Sequence, residues 1–216
     1  MKIESNKLLL YAVTDRAWVG EKTLKQQVEE ALKGGITCLQ LREKGLSQEE
    51  FLKEAKEILE LTKSYGVPLV INDHIRVAQE AGADGVHLGQ SDMRADRARE
   101  ILGPGKIIGV SARTVEQAVR AYEMGADYLG CGAVFGTSTK QDARPMDRQT
   151  LLEITEAVPI PVVAIGGING ENLKELRGTG VAGAALVSAI FGEEHIEEAV
   201  RALKQTARET LQGENI

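Results

Sequence analysis

The chain has 216 residues, 43% of them hydrophobic, which is enough apolar surface for one sizeable core and excludes a disordered chain or a disulfide-dependent miniprotein. Its apolar runs stay under about ten residues, against the roughly 20 that cross a bilayer, so no leader, anchor or membrane partner is expected and the expected compartment is cytoplasmic. Lys plus Arg number 26 against 32 Asp plus Glu, a formal net charge of −6 with no basic face interleaved by aromatics, which disfavours general nucleic-acid binding.

In chain order, short runs rich in Val, Ile and Leu alternate with amphipathic stretches. The first run, residues 8–14, precedes a helical pattern over 24–33, and the second, 38–42, precedes one over 48–65. Runs at 68–71, 85–89 and 107–111 follow, with a helix predicted over 115–124. Runs at 128–134, 161–165 and 183–188 complete a set of eight, and a helix with a charged, solvated face is predicted over 194–211. Continuous apolar strands alternating with helices imply a parallel sheet covered on both faces. Glycines such as Gly34, Gly35, Gly82, Gly125 and Gly180 punctuate the helix-to-strand turns. Eight βα units predict an α/β, single-domain (β/α)8 TIM barrel spanning residues 1–216. A doubly wound sheet would want GxGxxG after the first strand, where this chain has Asp15-Arg16-Ala17-Trp18-Val19-Gly20.

In such a barrel the site lies at the C-terminal ends of the strands, and the residues there are polar throughout. Alternation along the second strand puts Cys38, Gln40, Arg42 and Lys44 on one face, with Leu39, Leu41 and Glu43 on the other. The cations of the first face call for an anion in the barrel mouth; the alternative is ion pairing to Asp15 or Asp73. Asp73 and Asp92 end neighbouring strands, and two close carboxylates repel unless a cation or shared proton lies between them. Oxygen ligands beside cations point to Mg²⁺ bridging a diphosphate, the alternative being that Asp92 caps a helix.

The sixth loop, Gly136-Thr137-Ser138-Thr139-Lys140, offers hydroxyls and an ammonium suited to an oxyanion, though it is not a Walker A sequence. Gly166-Gly167 and Val187-Ser188 end the seventh and eighth strands, where barrels often hold a single phosphate on backbone amides. His87 reads as a satisfied barrel residue, His74 as the opening of the third helix, and Trp18 as either a wall of the mouth or a loop anchor. Cys38 and Cys131 sit in apolar runs without CxxC spacing and read as core residues.

The series Tyr11-Ala12-Val13-Thr14-Asp15, Gln40-Leu41-Arg42-Glu43-Lys44, Ile71-Asn72-Asp73, Gly85-Val86-His87-Leu88-Gly89-Gln90-Ser91-Asp92, Thr137-Ser138-Thr139-Lys140 and Ala164-Ile165-Gly166-Gly167-Ile168 resembles the thiamine phosphate synthase family over about residues 8–205. The resemblance implies a transferase that joins a hydroxymethylpyrimidine diphosphate to a thiazole phosphate, in its plain or carboxylated form, and releases pyrophosphate. It implies pyrimidine-diphosphate contacts at Gln40, Leu41, Arg42, Glu43, Lys44, Asn72, Ser111 and Lys140, with Arg42, Lys44 and Lys140 acting on the leaving group. It implies Mg²⁺ on Asp73 and Asp92, and a thiazole-phosphate site at Thr137, Ser138, Thr139, Gly167, Val187 and Ser188. The chain departs from the family pattern at Arg113, at Ala133 and Gly136, and at Met146 and Asp147. The competing readings are a thiazole tautomerase, a non-catalytic barrel that binds thiamine phosphate, and a Schiff-base aldolase, which would require a lysine inside a strand. Oligomeric state is left open by the sequence, a homo-oligomer included.

Overall fold

The computed structural model describes residues 3–136 and 145–213. Eight parallel strands close a barrel in sequence order: β1 (Leu10–Val13), β2 (Cys38–Leu41), β3 (Leu69–Asn72), β4 (Gly85–Leu88), β5 (Ile107–Ala112), β6 (Tyr128–Gly132), β7 (Val162–Ile165) and β8 (Gly183–Leu186). The predicted (β/α)8 TIM barrel is therefore the fold. Around it run α1 (Leu24–Gly34), α2 (Gln48–Ser64), α3 (Ile75–Ala81), α4 (Ala95–Leu102), α5 (Val115–Glu123), α6 (Arg148–Ala157), the four-residue α7 (Ser188–Phe191) and α8 (Ile196–Ala207). After β7 a single 3₁₀ turn, Leu173–Leu176, stands where a helix is expected.

Local chemistry sets where the helices start. Thr23 with Gln26, and Ser47 with Glu50, form reciprocal capping boxes at α1 and α2. Thr114 caps α5, and Asp147 caps α6 by accepting from the Thr150 amide at 2.7 Å. Met146 is buried, and its amide donates to the Ala133 carbonyl at 2.5 Å. Two of the family departures thus anchor the strand-to-helix crossing after β6.

Strand alternation divides the apolar residues into two cores. Leu39, Leu41, Ile71, Val86, Ile108, Leu129 and Ala164 face outward onto the helices. Tyr11, Val13, Cys38, Val70, Ile107, Tyr128, Val163 and Ala185 fill the barrel interior, with Ile3 and Leu8 below them. Leu8 belongs to a 3₁₀ turn, Ser5–Leu8, rather than to the first strand as the sequence suggests; with relative exposure of 0% it plugs the barrel floor. The ring closes where α8 packs on α1, and a Cβ on Gly34 would lie 2.6 Å from the Val200 Cβ. Beyond Ala207 the chain continues as a wider helical turn, Arg208–Gln212. Among the described residues no helix is long and apolar enough to cross a membrane.

Candidate active site

A cavity of about 330 Å³ opens above the inner core at the C-terminal ends of the strands, a size suited to a small-molecule site. On its β2-to-β5 side it is lined by Gln40, Arg42, Asn72, His87 and Ser111, and on its β6-to-β8 side by Gly132, Gly136, Gly166, Gly167, Val187 and Ser188. Seven residues expected from the sequence therefore border one space: Gln40, Arg42, Asn72, Ser111, Gly167, Val187 and Ser188. Thr137, Ser138, Thr139 and Lys140 lie outside the described residues.

The end of β2 is held by its neighbour β1. The Thr14 amide donates to the Gln40 carbonyl at 3.0 Å, and the Arg42 amide donates to the Thr14 hydroxyl at 2.9 Å. Arg42 Nη1 donates to Asp15 Oδ2 at 2.6 Å, and both side chains are about 15% exposed. The ion pair weighed as an alternative for Arg42 is thus present, inside the cavity. A guanidinium has five N–H donors, so one carboxylate leaves most of the fork available to a ligand.

Glu43 faces away from this space, as strand alternation requires. Its carboxylate, 1% exposed, accepts from Arg16 Nε at 2.7 Å, while Arg16 Nη2 donates to Glu54 of α2 at 2.6 Å. Among the described residues the buried Glu43 Oε1 and Glu54 Oε2 accept no hydrogen bond, and the two carboxyls face one another. Burial, then the facing Glu43, pushes the Glu54 carboxyl up to about 7, against the pull of Arg16. The cluster ties the β2 end, the loop after β1 and α2 together. Leu41 likewise points into the helix layer and contributes packing.

Asp73 and Asp92 meet just beyond Asn72, bordering the cavity mouth without lining it. Burial, then hydrogen bonding to and charge on Asp92, pushes Asp73 up to about 6, while Asn72 and the ammonium of Lys44 pull it down. Asp73 is the one described non-glycine residue with positive φ, 61°. Its amide donates to the His87 carbonyl at 2.9 Å, so β4 fixes the turn. Asp92 does not cap α4: that helix starts at Ala95 behind Arg94, and Asp92 Oδ2 instead accepts from the Gly89 amide at 2.7 Å, which aims its carboxyl toward Asp73. Facing carboxylates beside a lysine form an oxygen donor set that fits Mg²⁺. Among the described residues no three His, Cys, Asp or Glu side chains come together as a metal site.

The opposite side is backbone rather than charge. Gly166 and Gly167 have φ of 101° and 67°, and a Cβ on Gly167 would lie 2.2 Å from the Gly136 carbonyl. Phe135 donates its amide to the Gly166 carbonyl at 3.0 Å, and Asn172 Nδ2 donates to the Gly167 carbonyl at 2.8 Å, so the sixth and seventh loops are stacked. Val187 and Ser188 lead into α7, the short extra helix that barrels use in phosphate sites.

Tyr11 and Tyr128, which no sequence motif singles out, lie at the cavity floor together with His87, which the sequence marks only as a satisfied barrel residue. Their signal was their inward register, the same alternation that selects Gln40. Arg113, a departure from the family pattern, also lines the cavity. Trp18 lines a separate groove against Gly192 and α8. Cys38 and Cys131 are buried, and burial raises both thiols, Cys131 to about 12, as expected of core residues.

The chain is similar to known proteins over most of its length. A thiamine-phosphate synthase of Ruminiclostridium cellulolyticum is 50% identical over 194 residues, covering 90% of this chain and 92% of that protein. Another from Clostridium tetani is 47% identical, covering 90% and 93%. The solved thiamine phosphate pyrophosphorylase of Pyrococcus furiosus superposes with a TM-score of 0.89 at 42% identity, covering 96% of this chain and 98% of the other. Because the family model described as thiamine monophosphate synthase matches residues 10–190, from the first residue of β1 into α7 and hence every strand that borders the cavity, the chain belongs to that family.

Proposed function

We propose that the cavity takes a pyrimidine diphosphate along β2 to β5 and a thiazole phosphate along the loops after β6 to β8, and joins them into thiamine phosphate. The observation that carries this reading is the division of one cavity into two arcs. Gln40, Arg42, Asn72 and Ser111 form a side-chain arc next to Lys44 and the Asp73/Asp92 pair, and Gly166, Gly167, Val187 and Ser188 form a backbone arc opposite.

The reaction balances without a base. The pyrimidine CH₂–O bond breaks with its electron pair leaving on pyrophosphate, and the thiazole nitrogen lone pair forms the new C–N bond. Charge therefore builds on the leaving oxygen, and groups placed there accelerate the step by stabilising it more than the ground state. Arg42 supplies a forked guanidinium held in place by Asp15, and Lys44 an ammonium. Lys140 of the sixth loop supplies another in this reading. Asn72 and Ser111 fix the diphosphate, and Gln40 the ring. Asp73 and Asp92 would hold Mg²⁺, which when bound neutralises diphosphate charge. Thr137, Ser138 and Thr139 with Gly167, Val187 and Ser188 hold the thiazole phosphate. Both substrates are polyanions that cross no bilayer unaided, which favours a cytoplasmic enzyme.

The test mixes the two substrates with Mg²⁺ and follows pyrophosphate and thiamine phosphate together. Equal release of both is expected. Interconversion of thiazole tautomers with no pyrophosphate would overturn the proposal in favour of the isomerase.

A further inference from the structure

We infer that Tyr11, Tyr128 and His87 are positioning residues: they form a one-directional hydrogen-bond chain, starting at Gln40, that fixes the Ser111 hydroxyl as a donor into the cavity. Four contacts span the barrel interior. Gln40 Nε2 donates to the Tyr11 hydroxyl at 3.0 Å, the two tyrosine hydroxyls are 2.8 Å apart, the Tyr128 hydroxyl is 2.9 Å from His87 Nδ1, and His87 Nε2 is 3.0 Å from Ser111 Oγ.

The direction follows from counting protons. The Gln40 nitrogen only donates, so the Tyr11 oxygen accepts and its own single proton needs an acceptor. Its neighbours are the Tyr128 oxygen and the Cys38 sulfur, and oxygen is the stronger acceptor. Tyr128, having accepted, sends its proton to His87 Nδ1. The imidazole proton therefore sits on Nε2 and points at Ser111 Oγ. With that lone pair taken, the serine proton turns to the cavity that Ser111 lines. The reverse direction would leave Tyr11 accepting twice and donating only to sulfur, inside a site that is 1% exposed.

The barrel makes room for this chain. A Cβ on Gly109 would lie 2.1 Å from the Tyr128 ring, and one on Gly130 would lie 3.0 Å from the His87 ring. Both glycines occupy inward register positions, Gly109 between His87 and Tyr128 and Gly130 beside Ser111. Burial raises both phenols well above their ordinary range, so each keeps the proton it relays. This deepens the proposed function and rests on it: a diphosphate only accepts hydrogen bonds, so a serine held as a donor suits it, whereas a serine committed to His87 would present a lone pair to an anion.

The test is ¹⁵N NMR of the full chain labelled at histidine, of which there are three, His74, His87 and His195, assigned with H74Q and H195Q. His87 is expected as the Nε2–H form, with Nδ1 bare and hydrogen-bonded. In Tyr128→Phe the fixed form is expected to be lost, the KM for the pyrimidine diphosphate to rise about tenfold, and the KM for the thiazole phosphate to stay within about twofold. Tyr11→Phe, one link further away, is expected to give a smaller change of the same kind. An Nδ1–H form in the wild-type chain, or an unchanged His87 spectrum in folded Tyr128→Phe, would overturn the inference, and the wild-type spectrum decides even if that variant does not fold. Absence of pyrophosphate release together with the expected spectrum would instead count against the reaction alone.

Discussion

At the scale of single residues, Asp73 carries two burdens that substitutions can separate. Its φ of 61° is a conformation that Asn tolerates and Ala does not, and its carboxyl faces Asp92. Asp73→Asn removes the charge and keeps the conformational tolerance, so stability in urea should hold or improve, because one of two repelling carboxylates is gone. Asp73→Ala removes both, and should lie about 1 kcal/mol below the Asn variant. Both should lose the response of pyrophosphate release to Mg²⁺; an Asn variant that keeps it would remove Asp73 from the metal's ligands. Gly167→Ala acts on the other arc. Its methyl would meet the Gly136 carbonyl, so the stacked loops must part, and the KM for the thiazole phosphate should rise while that for the pyrimidine diphosphate holds. Equal rises in both would mean that the two arcs are not separate sites.

At the scale of elements, the Glu43–Arg16–Glu54 cluster joins β2, the loop after β1 and α2, and it makes that junction sensitive to pH. The Glu54 carboxyl lies at about 7, raised from the ordinary 4.5, so the fold holds its proton more tightly than the unfolded chain does. This contribution is complete at pH below about 4.5 and is lost as pH rises through about 7. Glu54→Gln turns a permanent amide N–H toward the Glu43 carboxylate, while its amide oxygen still accepts from Arg16. The variant should match the wild type in Tm near pH 5 and exceed it near pH 8; a deficit at pH 8 would mean that the negative charge of Glu54 is needed by Arg16. The sequence could not have shown this junction. Alternation along β2 placed Cys38, Gln40 and Arg42 inward and Glu43 outward, because a period of two residues is written in adjacent positions. The partners of Glu43 come from other elements, 27 residues away for Arg16. The same limit explains Leu8, whose apolar neighbours read as strand although only the closed barrel supplies a floor to plug. It explains Asp92, which precedes a helix yet serves a turn. Tyr11, Tyr128 and His87 were visible as letters, but a hydrogen-bond chain between β1, β4 and β6 exists only after closure.

At the scale of the whole molecule, a chain of net charge −6 is proposed to bind two polyanions, so its affinity must come from the local arcs and not from its overall field. Screening confines surface charges to about 8–10 Å at ordinary ionic strength, which leaves the arcs to act on their own ligands. Each ligand should then stabilise the fold by mass action, by about 2.7 kcal/mol at a hundred times its dissociation constant. For a barrel of this size that corresponds to a rise in Tm of roughly 5–10 °C. Arg42 lies on the diphosphate arc and pairs with Asp15, so Arg42→Ala removes a cation and leaves an acidic group facing the same space. The rise in Tm with Mg²⁺ and pyrimidine diphosphate should largely disappear in that variant, while the rise with thiazole phosphate should remain. Thermal melts with each ligand alone read the two arcs independently of turnover. If Arg42→Ala abolishes both shifts equally, the cavity acts as one anion site, and the division on which the two-substrate reading depends is lost.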